Sequence, residues 1–128
     1  MGYPASSRYR EMEVLAMPPA RRLVMLYSHL LVMLKQARRH IERGEIELRG
    51  ERLLRAEEIV RELLMSLDHD AGGSLATSLD SIYRWLLGEF VGIHLKPDVA
   101  RLDAVIVVVA DLHEAWEGAA AQVAGSAA

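Results

Sequence analysis

From Leu23 to Leu34 every residue except Ser28 and His29 is apolar. A helix in a small bundle needs an apolar stripe only about 100° wide, so an apolar circumference asks for cover on several sides. A second surplus runs from Val105 to Ala110. A chain of 128 residues has one core and too little protein to enclose two such helices completely. The rest of that surface must be covered by a partner, by a second copy, or by the chain's own N-terminal segment.

Four helical segments separate along the chain. The first is predicted from about Ala20 to Arg43, opened by Met17-Pro18-Pro19 and closed near Gly44, because proline fits a helix's first turn and glycine its end. The second, about Glu51 to Leu67, has Leu53, Ala56, Val60, Leu63 and Leu67 at alternating spacings of three and four, with Arg and Glu between them. Residues 68–74 read as a Gly-rich turn, with Ser74 as N-cap of a third helix reaching Leu95. Its core stripe is Leu75, Leu79, Ile82, Leu86, Phe90 and Ile93. Pro97 breaks the chain and Asp98 opens a fourth helix, about Val99 to Ala120. Val105–Val109 alone would suit a strand. The flanking Leu102 and Leu112–Trp116 continue a helical period, and no second strand exists to pair with it. The expected fold is all-α: an antiparallel up-down four-helix bundle over residues 18–120. An apolar N-terminal segment, residues 1–17, packs on or caps it, and residues 121–128 form a flexible Ala/Gly/Ser tail.

At 100° per residue, Leu23, Leu26, Tyr27, Leu30, Leu34, Ala37 and Ile41 form the core stripe of the first helix. Val24 and Leu31 fall to one side of it, and Met25 and Val32 nearly opposite. On the fourth helix Leu102, Ile106, Val109 and Trp116 share a stripe, which Val105, Val108, Leu112 and Ala115 widen to about half the circumference. Trp85, Leu87 and Val91 lie off the core stripe of the third helix. Contiguous apolar patches mark interaction sites. Full burial of a Val, Leu or Met side chain is worth roughly 1.5–3 kcal/mol. A handful of them offsets the roughly 2–5 kcal/mol that ordering a disordered partner costs.

The residues exclude several chemistries. With no cysteine there is no disulfide, thiolate metal site or cysteine nucleophile. Met25, His29, Met33 and His40 share a helix, but one helix cannot supply both axial ligands across a haem. No Glu is followed by His at the spacing of a di-iron carboxylate bundle. His69 between Asp68 and Asp70 reads as a solvated turn residue. Asp111, His113 and Glu114 point in different directions along one helix. No cofactor, no metal and no enzymatic activity are expected. Leu23–Leu34 is about 12 residues, short of the roughly 20 that span a bilayer, and no basic-then-apolar leader opens the chain. The sequence therefore suggests a cytoplasmic protein with no membrane insertion. Residues 1–43 hold eight Arg/Lys against three Glu, and residues 68–128 hold three against nine Asp/Glu. Arg21, Arg22, Arg38 and Arg39 have no interleaved aromatics, so this asymmetry reads as first and last helices lying side by side, not as a nucleic-acid surface.

One set of residues is similar to a known family. Met25-Leu26-Tyr27 follows a proline-marked helix start, and Arg55-Ala56-Glu57-Glu58-Ile59-Val60-Arg61-Glu62-Leu63 lies in the second helix. Gly73-x-x-Ala76-x-x-Leu79-x-x-x-Tyr83 follows, then Leu102-Asp103-x-Val105 and Leu112-x-x-Ala115-Trp116. In order and spacing these resemble the flagellar export chaperones of the FliS type, from about Tyr9 to Trp116. The resemblance implies a helical bundle that holds the disordered C-terminal segment of flagellin in apolar grooves, prevents its premature polymerisation and engages the export gate. It implies partner contact through Tyr9, Val24, Met25, Leu31, Val32, Val105, Val108 and Leu112, and an N-terminal lid bearing Tyr3, Tyr9, Met12 and Val14. Five positions depart from the pattern: Ser28-His29 replaces Asp-Gly, Gly92-Ile93 replaces Ala-Asn, and His113 stands where Arg is common. The alternative is a structural or regulatory bundle whose apolar surplus serves homodimerisation or a different export client. Either a monomer or a homodimer fits the sequence.

Overall fold

The structure, a computed structural model, describes residues 19–127. The lid residues Tyr3, Tyr9, Met12 and Val14 lie outside the described residues. Four helices follow one another: α1 (Pro19–Glu42), α2 (Ile46–Met65), α3 (His69–Leu95) and α4 (Val99–Ala127). Three-residue links force each helix to run back along the one before it. Arg38 meets Asp103 and Ser28 meets His113, so residue numbers rise on α1 as they fall on α4. The expected antiparallel four-helix bundle is the observed fold. α1 packs along both α2 and α4, α2 packs on α3, and α3 meets α4 much less closely.

The helix boundaries have local causes. α1 ends in a Schellman turn: Glu45 N–H donates to the His40 carbonyl at 2.9 Å and Gly44 N–H to Ile41 at 3.1 Å. Gly44 takes φ +67° there, a conformation that side chains resist. α2 begins at Ile46, earlier than Glu51, because this turn hands the chain straight into the next helix. α4 opens as expected, with Arg101 N–H donating to the Asp98 carboxylate at 3.2 Å. It runs past Ala120 to Ala127, since alanine is the best helix former and the expected frayed tail is rich in it.

The expected turn at residues 68–74 is mostly helical. Asp68, not Ser74, supplies the cap, accepting from Ala71 N–H at 3.0 Å, and α3 starts at His69. The helix breaks once, at Gly73, with φ 52° and ψ −127°.

The core is centred on Tyr27, Leu30, Leu34, Leu53, Ile59, Leu63, Tyr83, Leu86, Phe90, Ile93, Leu102, Val105 and Val109. Two expectations about it need correction. Leu75, expected inside, is 56% exposed, because it follows the Gly73 break at the end of the bundle. The α4 stripe runs through Val105, fully buried, while Ile106 is half-buried. Arg38 grips Asp103 with two parallel bonds of 2.6 and 3.1 Å across the α1–α4 seam. That bond is the main reason the Asp103 carboxyl titrates below the ordinary range. Of the basic residues on the first helix, Arg38 thus meets an acid of the last, as the charge asymmetry of the sequence suggests. The pair is only half-buried and adds direction more than stability.

Candidate functional site: apolar grooves at the open end of the bundle

The end of the bundle where α1 begins is incompletely closed. Leu23, Leu63, Leu67, Leu75, Tyr83 and Trp116 line a groove of about 310 Å³ between the start of α1, the end of α2 and the start of α3. A larger groove of about 650 Å³ lies beside it between α1 and α4. Its walls are mainly small or apolar side chains, Ala20, Val24, Ala120, Ala121, Val123 and Ala124, with Arg21 and Glu117 at the rim. Further down, Ser81, Ile82, Trp85 and Val108 border an apolar cleft of about 330 Å³ where α3 and α4 draw apart. Grooves of this size and lining suit the apolar face of a helix.

Tyr27 and Tyr83 lie beneath the first groove, with their hydroxyls 2.5 Å apart in the buried interior. The Trp116 ring tilts against Tyr27 at a centroid distance of 6.4 Å. Burial is the main cause that raises both phenols above the ordinary tyrosine pKa. Each hydroxyl therefore remains protonated and partnered.

The candidate contact residues fall into three groups. Val24 lines the α1–α4 groove and Val108 the α3–α4 cleft, with Leu112 half-buried one turn further along α4. Met25 and Val32 are 41% and 47% exposed on the outward face of α1. Leu31 and Val105 do not belong to the exposed set: Leu31 is 9% exposed and Val105 fully buried in the core. Leu31 shares the side of α1 that carries Ser28 and Arg38, the side on which α4 packs. Sequence reasoning put Leu23 and Trp116 on the inward stripes of their helices, named Tyr83 only as a motif residue, and left their groove-lining edges unread. The Ala-rich end of α4 reads as a tail until a helix lies beside it.

Among the described residues no arrangement for covalent chemistry emerges. Ser28 Oγ and Glu117 Oε1 each lie 3.2 Å from His113, but both approach the same ring nitrogen, Nε2. A relay needs opposite nitrogens, one for the nucleophile and one for the orienting acid. His69 lies 3.6 Å from Asp80. Among the described residues no three His, Asp or Glu side chains converge as metal ligands, and no helix is long and apolar enough to cross a membrane.

A helical bundle with open apolar grooves has the form of a scaffold that binds other chains. The profile of the flagellar protein FliS matches residues 1–123, and the chain belongs to that family of non-enzymatic secretion chaperones. It is 29% identical over 102 residues to the flagellar secretion chaperone FliS of Vibrio cholerae, spanning 80% of this chain and 75% of that protein. To the flagellar secretion chaperone FliSB of Pseudomonas aeruginosa it is 31% identical over 100 residues, 78% of this chain and 79% of that one. The crystal structure of a bacterial flagellar chaperone shares its fold, with a TM-score of 0.77 over 92% of this chain and 96% of the other at 22% identity. Ser28 and His113, two of the departures from the family pattern, face each other at 3.2 Å.

Proposed function

We propose that this chain is a flagellar export chaperone for flagellin. Its grooves hold the disordered C-terminal segment of flagellin as helices, keep it from polymerising before export, and present it to the export gate in the cytoplasm. The observation that carries this reading is the concentration of half-covered apolar side chains at one end of the bundle and in the α3–α4 cleft. Val24, Val108 and Leu112 are the central contacts, with Leu75 and Trp85 at the groove edges. Pro19 starts α1 beside Ala20 and Val24, so residues 1–17 join the bundle next to the largest groove. In this reading the segment bearing Tyr3, Tyr9, Met12 and Val14 is a lid that the client displaces.

Isothermal titration with a C-terminal flagellin fragment tests the proposal. Binding should carry a negative heat-capacity change, the mark of apolar burial. Val108→Asp should weaken it at least tenfold while the helical circular dichroism is retained, because Val108 borders a cleft and not the core. If neither the full chain nor one lacking residues 1–17 produces any heat, flagellin is not the client.

A further inference from the structure

The opposite end of the bundle, where α1 turns into α2, carries a second concave surface of different chemistry. Gln36, Arg39 and His40 of α1, Arg43 just past its end and Arg52 of α2 line a cleft of about 200 Å³. Arg49 lies one turn before Arg52. Among the described residues no carboxylate reaches ion-pair distance of Arg39, Arg43, Arg49 or Arg52. The nearby acids are engaged or turned away. Glu42 holds Arg38 at 2.7 Å, Glu45 holds His40 at 3.1 Å and Glu58 holds Arg55 at 2.9 Å. Glu47 and Glu51 project roughly 100° or more away from Arg49 and Arg52 around α2.

Helix stability accounts for only part of this cluster. Arg39 and Arg43 suit the negative end of α1, but Arg49 and Arg52 sit in the first two turns of α2, where the helix dipole opposes positive charge. The Nε atoms of Arg49 and Arg52 and the Oε1 of Gln36 are shielded from solvent with no hydrogen-bond partner. Buried polar atoms without partners are rare and costly, so such atoms call for a ligand.

The surface continues beyond the cleft. Met25, Val32, Gln36, Arg39 and Arg43 lie within about 40° of one line along α1, a stripe of roughly 27 Å. It passes from exposed apolar side chains, Met25 and Val32, to cationic ones. No aromatic side chain lines the cleft to stack a base, which disfavours single-stranded nucleic acid.

We propose that the α1–α2 end docks an acidic, helix-forming protein segment, with apolar residues on Met25 and Val32 and Asp or Glu side chains on Arg39, Arg43 and Arg52. The cationic part of this site lies at the end of the bundle away from the apolar grooves, and the stripe comes near them only at Met25, next to Val24.

The test uses the full chain and a fluorescent 18-residue helical peptide (an order-of-magnitude match, ~18 residues, to the ~27 Å stripe) whose first half presents Leu and whose second half presents Glu. The acidic peptide binds, its Glu→Gln counterpart binds at least tenfold more weakly, and affinity falls as salt rises. The triple variant Arg39→Gln, Arg43→Gln, Arg52→Gln loses at least tenfold while its circular dichroism matches that of the unaltered chain. Unchanged affinity in the triple variant overturns the proposal. So does inorganic phosphate that displaces the peptide at the peptide's own concentration, which would mark a simple oxyanion site. Tighter binding of a single-stranded oligoribonucleotide would reassign the surface to nucleic acid. Competition between the peptide and a ligand seated in the apolar grooves would overturn the separation of the two sites.

Discussion

Where α1 runs into α2, Leu34, Ala37, Leu53, Phe90, Ile93 and Leu102 have no exposed surface; where α1 begins, Leu75 and Met65 are 56% and 87% exposed. The same four helices make both ends. Near the closed end, Arg38–Asp103, Arg101–Glu89 and the Schellman turn at Gly44 tie neighbouring helices together over a filled core. At the open end Leu23, Leu67 and Trp116 remain half-covered around a groove, and α3 breaks at Gly73. The closed end has exposed apolar side chains of its own, Ile46 and Leu95 at 66% and 82%, so the difference lies in the space between the helices: filled at one end, grooved at the other.

Core truncation gives the largest expected effect and the sharpest way to break this contrast. Phe90→Ala should cost about 3–5 kcal/mol of unfolding free energy, whereas Leu75→Ala should change it by about 0.5 kcal/mol or less. Equal losses in urea titrations would mean that the open end is as structurally committed as the closed one. The Tyr27–Tyr83 pair beneath the groove comes next. Tyr83→Phe leaves the Tyr27 hydroxyl without that partner and should cost roughly 1–3 kcal/mol. The double variant with Tyr27→Phe should cost less than the sum of the two single changes, and additive losses in a double-mutant cycle would deny the coupling.

The smallest effect belongs to His29, midway along α1, whose pKa is lowered by burial first and by the Arg55 charge second. The unfolded chain therefore takes up a proton near the ordinary value of about 6.5 before the folded chain does. The histidine's contribution is fully present above that pH and is lost as pH falls through and below it. Thermal melts should show a small destabilisation on acidification from about pH 7.5 to about pH 5.5, and His29→Gln should abolish that part of the slope. A slope unchanged by the substitution would assign it to other groups.

Much of this architecture was legible in the sequence. The spacing of three and four in α2, the proline at the start of α1 and Gly44 at its end each act through the residue's own backbone or its near neighbours. The outward placement of Met25 and Val32 followed from angular position alone. What could not be read was which neighbour covers which side. Leu31 and Val105 are apolar residues at the margin of a stripe, and only the packing of α4 along α1 puts Leu31 inside. Asp68 capped a helix that was expected to start at Ser74, because an Asp and a Gly-rich stretch suit a turn and a helix start equally well. The grooves were the least legible part, since Leu23 and Trp116 carry the same pattern whether fully or half covered.

The hydrogen bond between Tyr27 and Tyr83 also sets the electrical character of what lies above it. Two phenols that satisfy each other in the interior carry no charge to gain or lose at any pH a cell maintains. The floor of the groove is therefore proton-inert. A segment seated there would meet the same apolar base at every such pH, and acidification would give this floor no charge with which to expel it.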